Sequence, residues 1–335
     1  MQVPGRTVVT IRDVARAAGV SNATVSQVVN GSRPVAEATR LRIEQVIAEL
    51  GYRPNTFARA LKTLRSQLVG VVLPDLSNPF YPTLVRGVQD ELGLHGYHAV
   101  IVNTEAERAQ ELELVAELVA RQVDGLVLTT FTLSDADYAG IAAKGVPFVV
   151  VGQTANFDHA HTSDYAAAFE MTSYLLEQGY GSVAHLAGPA GIGIGPAAPR
   201  LAGYRAAMRK RGLRGPAAPV VRGDFTVAGG NKAMLQLLES EPRPRAVFCA
   251  NDLMALGAIE AARTAGLRVP EDLAVAGFDD IDAASLVRPS LTTVQNSGRE
   301  LGAKAAGLLL DRMRGADGPP VEVKVTFTLK KRDSA

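Results

Sequence analysis

The chain has 335 residues, 47% hydrophobic and 21% charged, with 35 Lys+Arg against 34 Asp+Glu, one Cys and no Trp. This balance excludes a disordered chain, the single Cys249 excludes a disulfide framework and any Cys-based zinc finger and fits a reducing cytoplasm, and no apolar run approaches the ~20 residues of a membrane helix. The near-zero net charge hides an asymmetry: residues 1–66 hold ten basic and four acidic side chains, a net +6, while the remainder holds 25 and 30, a net −5. One piece suits a polyanion and the other does not. The opening MQVPGRTVVT lacks the apolar stretch of a secretory signal.

The first 66 residues read as short helices. Thr10 with Asp13 three residues on resembles a capping box, which starts a helix at Ile11. That helix carries Val14 and Ala18 on one face and stops at Gly19. Ser21 caps a second helix over 22–29, with Val25, Val28 and Val29 for packing. A third covers about 37–50, with Leu41, Ile43, Val46, Ile47 and Leu50 apolar, and ends at Gly51. Pro54 then suits the first turn of a short fourth helix, NTFARALK. KTLRSQ (62–67) is a polar linker.

From residue 67 apolar strands alternate with amphipathic helices. The strands are 68–73, 98–102, 124–128, 146–151, 183–187, 246–250 and 273–278. Helices are expected at 81–94, 107–121, 166–178, 200–211, 226–239 and 252–265. Continuous apolar strands of this kind predict parallel sheets covered on both faces, and their number suggests two successive doubly wound halves.

The first two helices, joined at AGVSN, form a helix-turn-helix candidate whose second helix would enter the major groove N-terminal end first. With its valines turned inward, Asn22, Ala23 and Gln27 take the outer face, flanked by Ser21, Thr24, Ser26 and Asn30. Hydroxyl and amide side chains near a helix N-terminus suit phosphate oxygens. Thr10 joins them as a DNA-contacting position. The bland alternative is a small bundle with a solvated polar face; the +6 charge favours DNA.

Residues 10–63, TIRDVARAAGVSNATVSQVVNGSRPVAEATRLRIEQVIAELGYRPNTFARALKT, resemble the headpiece of the lac repressor (LacI/GalR) family of bacterial transcription regulators without a gap. The segments VGVVLPDLSNPFY, RLAGYRAAM, FCANDLMALGAIEAARTAGLRVPEDLAVAGFDD and PSLTTVQ follow in family order. The resemblance implies a type I periplasmic-binding-protein fold for the body, with a ligand between two α/β subdomains. It places the base-reading positions on Asn22, Ala23 and Gln27. Family members very commonly have Arg at position 27, which reads guanine; Gln suits adenine through N6 and N7. The resemblance also makes 53–66 a hinge helix and linker. There Leu61 would wedge into the minor groove at the operator centre, with Asn55 and Ala58 on the same face. A helix this short is unstable alone, so it would order on DNA, paired with its twin in a dimer.

By the same resemblance, Arg200 and Asp279 head the effector-binding candidates, with Asn251, Phe225, Phe80 and Tyr81. Arg200 offers a planar fork of donors and Asp279 two acceptors. Asp279 and Asn251 follow strands, at the edge where open α/β sheets bind ligands. Gly152 stands where several sugar-binding members carry Asp. Gly193-Ile194-Gly195 is only superficially like a dinucleotide fingerprint.

No catalytic motif appears. His95 and His98, or His159 and His161, have spacings a metal could use, but no third ligand accompanies them in sequence, so they read as solvated histidines. Cys249 reads as a buried small hydrophobe.

The expected organisation is therefore an all-α headpiece over 1–52, a hinge and linker over 53–66, and a core of two doubly wound parallel-sheet subdomains over 67–335, with the chain crossing between them near 164, 295 and 325. The expected function is a ligand-responsive, sequence-specific DNA-binding regulator, most simply a repressor. It would be a cytoplasmic, nucleoid-associated homodimer on a near-palindromic double-stranded operator. The effector would be a sugar or derivative, with a nucleoside or a protein corepressor as alternatives. No cofactor, metal or membrane contact is expected. No leucine-heptad tail of the kind that joins dimers into tetramers follows the last strand, which favours a dimer. The rival classes are a solute receptor and an α/β enzyme.

Overall fold

The computed structural model describes residues 9–30, 33–52, 65–190, 195–215 and 218–335. The chain divides into two compact units, 1–66 and 67–335.

In the first unit, α1 (Ile11–Ala18) begins at Thr10, whose N–H donates to Asp13 Oδ2 at 2.9 Å, and ends at Gly19 with φ 64°. Only a residue without a Cβ takes that left-handed conformation freely, so the chain turns sharply here. Ser21 caps α2 (Asn22–Asn30): its Oγ accepts the Thr24 N–H at 3.1 Å. A third helix, α3 (Glu37–Leu50), closes over both. Val14, Ala15, Ala18, Val25 and Ile43 form the sealed centre. The expectation for α3 needs one correction. Leu41 is 52% exposed, because the helix turns Ile43 fully inward and residue 41 lies two positions, about 200°, away; Leu50, the last residue of the helix, is 38% exposed.

The second unit holds two six-stranded sheets. The strands, in chain order, are β1 (Leu68–Leu73), β2 (His98–Asn103), β3 (Gly125–Leu128), β4 (Phe148–Val151), β5 (His159–Thr162), β6 (Val183–Ala187), β7 (Val220–Arg222), β8 (Ala246–Cys249), β9 (Ala274–Asp279), β10 (Thr292–Asn296), β11 (Glu322–Val325) and β12 (Phe327–Lys330). The first sheet runs β11-β5-β4-β3-β1-β2, all parallel; the second runs β12-β10-β9-β8-β6-β7, parallel except for β12.

The helices are α4 (Phe80–Gly93), α5 (Arg108–Ala120), α6 (Asp135–Ala142), α7 (Asp164–Glu177), α8 (Ala197–Lys210), α9 (Val227–Leu238), α10 (Asp252–Thr264), α11 (Asp282–Leu286) and α12 (Gly298–Met313). Each sheet is covered on both faces, giving four apolar layers. The apolar runs of the inner strands are legible for this reason, both faces being buried, while the edge strand β2 is apolar but half-exposed. The short strands β5, β7, β10, β11 and β12, and helices α6, α11 and α12, carry weaker patterns and were not located as elements in the sequence.

The chain passes between sheets three times: β5 lies in the first sheet and α7 against the second, β10 in the second and α12 against the first, β11 in the first and β12 in the second. Thr162 Oγ1 donates to Asn296 Oδ1 at 2.7 Å, joining the first two crossings.

Three helix pairs approach through glycine. In α12, a Cβ on Gly302 would lie 2.1 Å from the Leu84 carbonyl oxygen of α4; in α10, one on Gly257 would lie 2.0 Å from the Val227 oxygen of α9; and in α8, one on Gly203 would lie 2.2 Å from the Tyr165 oxygen of α7. The obstructing atoms are backbone and cannot rotate away. Gly302→Val is therefore expected to lower stability by about 2 kcal/mol or more, read as a lower urea midpoint. Gly307→Ala in the same helix, where an added methyl meets nothing within 4 Å, is expected to leave the midpoint equal or slightly higher. Equal losses in both would count against close packing as the cause.

Candidate functional site

The outer face of α2 carries Asn22 and Ala23, both exposed, and Gln27, half-buried. Ser21 and Thr24 are joined at the helix start, with hydroxyl oxygens 2.8 Å apart. Their hydroxyls therefore also serve the cap that positions Asn22. Ser26 is half-buried, and Asn30 ends the helix with its side chain outside the described residues. Thr10 is exposed but tied by its hydroxyl to Asp13 Oδ2 at 2.7 Å, a bond that with the Thr10 N–H holds the Asp13 carboxyl below its ordinary range. Asn55, Ala58 and Leu61 lie outside the described residues, as do Gly193 and Ile194.

In the second unit a cleft of about 340 Å³ lies among the strand ends of both sheets, within the range of small-ligand pockets. Phe80, Tyr81, Arg200, Phe225, Asn251 and Asp279 all line it. Phe80 opens α4, one residue before the expected start at 81, and Tyr81 follows it, with Pro79 as the residue preceding the helix.

Arg200 is 5% exposed. Its Nε donates to Asp164 Oδ1 at 2.7 Å and its Nη1 to the Ala250 carbonyl at 2.5 Å, while Nη2 stands 3.6 Å from Asp279 Oδ1. Its guanidinium carbon lies 3.6 Å above the centre of the Phe278 ring. Burial works against its charge, and Asp164 and Asp279 more than compensate, so its pKa is raised. Asp164 was missed in the sequence; it opens α7 directly after the first crossing, and only the fold sets it beside Arg200.

Asp279 ends β9 with φ 110°, and Phe225 has φ 68°. Both are strained for residues with a Cβ, and both face the cleft. Burial is the largest influence on Asp279 and holds its carboxyl up at about 7, with Arg200 pulling it down and Asp164 pushing it up. Asn251 lines the cleft but is held at both ends of its amide. Its Oδ1 caps α10 at Met254 N, 2.9 Å, and its Nδ2 donates to the Phe225 carbonyl at 2.9 Å. It fixes Phe225 in place.

Phe131, also missed, follows β3 and completes a chain of rings across the cleft. Tyr81 to Phe131 is 6.3 Å between centres and Phe131 to Phe225 is 6.0 Å. The strand-end rule could have found it. Tyr81 is buried, and burial, followed by Asp279, pushes its hydroxyl well above the ordinary tyrosine value. At Gly188 an added Cβ would meet Phe225 Cζ at 2.4 Å, so this loop position also shapes the aromatic wall.

The histidine expectation needs correction. His159 and His161 are buried, not solvated, and Glu322 of β11 stands with them, its Oε1 2.7 Å from His161 Nε2. The third group was invisible in sequence because it lies 161 residues away. Cys249 is fully buried, and burial raises its thiol. No helix among the described residues is long and apolar enough to cross a membrane.

A helix-turn-helix unit in one chain with a two-sheet α/β body around a ligand-sized cleft defines a class of regulators with a periplasmic-binding-protein-like core. Residues 10–55 match the model for bacterial regulatory proteins of the lacI family, and residues 172–335 match the periplasmic binding protein-like domain. The chain is 38% identical over 330 residues to the ribose operon repressor of Escherichia coli (strain K12), covering 97% of this chain and 99% of that one. It is similar to the lac repressor dimer bound to operator and the anti-inducer ONPF, with a TM-score of 0.88 and 31% identity over 97% of this chain and 98% of that one. It is similar also to a transcriptional regulator CelR–cellobiose complex, with a TM-score of 0.74 and 32% identity over 98% of this chain and all of that one. The chain belongs to the LacI family of bacterial regulatory proteins.

The raised carboxyl of Asp279 has a consequence for stability. Between about pH 4 and 7 the folded state keeps a proton that the unfolded chain has released, its ordinary value being 3.8. This contribution therefore falls as pH rises through that window. Asp279→Asn is expected to gain stability over the parent between pH 5 and pH 8, measured as the difference in urea midpoints. A difference that stays constant across that range would refute the buried-carboxyl account.

Proposed function

We propose that this LacI-family regulator is a repressor. It binds a near-palindromic operator as a cytoplasmic homodimer and responds to a small hydroxyl-bearing effector in the core cleft. One observation carries the reading: a chain with an exposed Asn22–Ala23 helix start also holds a buried Arg200–Asp279 pair, tied to the half-buried Asp164, in a ligand-sized cleft. The operator and dimer come from the similarity to the lac repressor dimer bound to operator, and a sugar effector from the similarity to the cellobiose complex.

The DNA-contacting set is Thr10, Ser21, Asn22, Ala23, Thr24, Ser26, Gln27 and Asn30, with Asn55, Ala58 and Leu61 in the hinge. Asn22, Ala23 and Gln27 meet base edges. The others meet phosphates or the minor groove. The +6 charge of residues 1–66 supplies the salt-dependent part of affinity. In the cleft, Arg200 and Asp279 take the effector's polar groups, and Phe80, Tyr81 and Phe225 its apolar faces. Asn251 supports Phe225. The lining carries Asp75, Glu105, Asp164, Asp224 and Asp279 against the single arginine Arg200. That excess of carboxylates favours an uncharged polyol, such as a sugar or nucleoside, over a phosphorylated ligand. Closure of the core around this ligand would alter the spacing of the two hinge segments, and DNA must shift effector affinity by the same factor. The chain performs no chemistry on the effector.

Two measurements test this. Selection of duplexes from a random pool is expected to yield paired half-sites with adenine at the base facing Gln27. Gln27→Arg is expected to shift that base to guanine, worth about 1–3 kcal/mol of discrimination. Failure of the intact protein to prefer any sequence would refute the regulator reading. A thermal-shift screen of neutral sugars and nucleosides is expected to find a stabilising ligand whose effect disappears in Arg200→Ala and Asp279→Ala. A hit that stabilises both variants equally would place the effector elsewhere.

A further inference from the structure

We infer that His159, His161 and Glu322 form a binding site for one divalent transition-metal ion of the zinc type, at the edge of the first sheet beside the cleft.

The site is built by strand geometry. Residues 159 and 161 alternate onto one face of β5, and β11 pairs with it in register, Glu322 opposite His159 and Lys324 opposite His161. Glu322 therefore shares the histidines' face. His159 Nε2 is 4.0 Å from Glu322 Oε1 and His161 Nε2 is 2.7 Å from it; the three ligand atoms lie within 4.8 Å of one another.

The other ring nitrogens settle which atoms are free to ligate. His159 Nδ1 lies 2.9 Å from the Phe157 carbonyl and His161 Nδ1 lies 3.3 Å from the Thr162 carbonyl. Each Nδ1 is engaged by a backbone carbonyl, so Nε2 is the ring atom turned toward the Glu322 carboxylate. This outer hydrogen bond is the one that orients metal-bound imidazoles. His161 and Glu322 already meet at 2.7 Å, and His159 Nε2 faces the same carboxylate oxygen from 4.0 Å; one metal ion among them would engage all three groups. Two imidazoles and one carboxylate suit Zn²⁺, Co²⁺ or Ni²⁺ and leave a position open to water or ligand.

Lys324 opposes the site weakly. Its Nζ is 3.8 Å from Glu322 Oε1, but the side chain is 65% exposed and can swing into water. His161 also lines the cleft. The ion would join the strand before the first crossing to the strand before the third, and so stiffen the margin of the cleft. The site itself stands on its three ligands and does not require the repressor reading.

The full chain, purified without a histidine tag and stripped with a chelator, would be titrated with ZnCl₂ by calorimetry and with CoCl₂ by visible absorption. The expected result is saturation at one ion per chain and a cobalt spectrum of a nitrogen–oxygen ligand set. Glu322 is half-exposed on an edge strand, so Glu322→Gln folds, and it is expected to weaken zinc at least tenfold. His161→Asn is expected to abolish binding. His98→Ala, on the other edge of the sheet, is expected to leave it unchanged. Absence of saturable binding would overturn the proposal in favour of a plain His161–Glu322 ion pair. So would binding that survives both Glu322→Gln and His161→Asn.

Discussion

A single buried cation organises the cleft. A guanidinium removed from water is costly unless its charge and its hydrogens are all answered. Arg200 is answered from three elements at once: Asp164 at the start of α7, the Ala250 carbonyl after β8, and Asp279 at the end of β9. The ring of Phe278 covers its face. These contacts fix the relative positions of a crossing, two strand ends and a helix start. Loss of one partner of such a buried pair typically costs about 3–5 kcal/mol, so the arrangement is strongly constrained.

The same constraint leaves Asp279 without a hydrogen bond from Arg200. Arg200 donates its hydrogen bonds to Asp164 and Ala250 and reaches Asp279 only at 3.6 Å. Asp279 is buried on a strained backbone, with a side-chain hydrogen bond from Asn296 and the Arg200 charge beside it. The ring series Phe80, Tyr81, Phe131 and Phe225 lines the same cleft, with Tyr81 close enough to Asp279 and Arg200 to feel both charges.

The two sheets are linked through short segments. The Thr162–Asn296 bond joins two crossings, and only residue 326 separates β11 from β12. His161 lies next to Thr162 and pairs with Glu322 at the start of β11. Both groups lie on or beside the segments that join the two sheets. The headpiece is built on different terms. It has a small aliphatic centre, tight caps at Thr10 and Ser21, and a polar outer helix face.

Local patterns were readable wherever one residue's neighbours in sequence are also its neighbours in space. The Thr10–Asp13 cap, the turns at Gly19 and Gly51, the three headpiece helices and the seven apolar strands all follow from spacing of a few residues. The charge division near residue 66 is of this kind too. So was the family, because its motifs are contiguous. The rest depends on chain segments far apart. Asp164 gains meaning only beside Arg200, Phe131 only beside Phe225, and Glu322 only beside histidines 161 and 163 positions earlier. Leu41 reads as core in a helix pattern, yet lies outside because packing selected Ile43. Sequence alone determined the headpiece helices, the seven apolar strands with six of the body helices, and the charge division near residue 66. Tertiary structure alone decided which charges are buried together, because desolvation and pairing depend on distance in space and not along the chain.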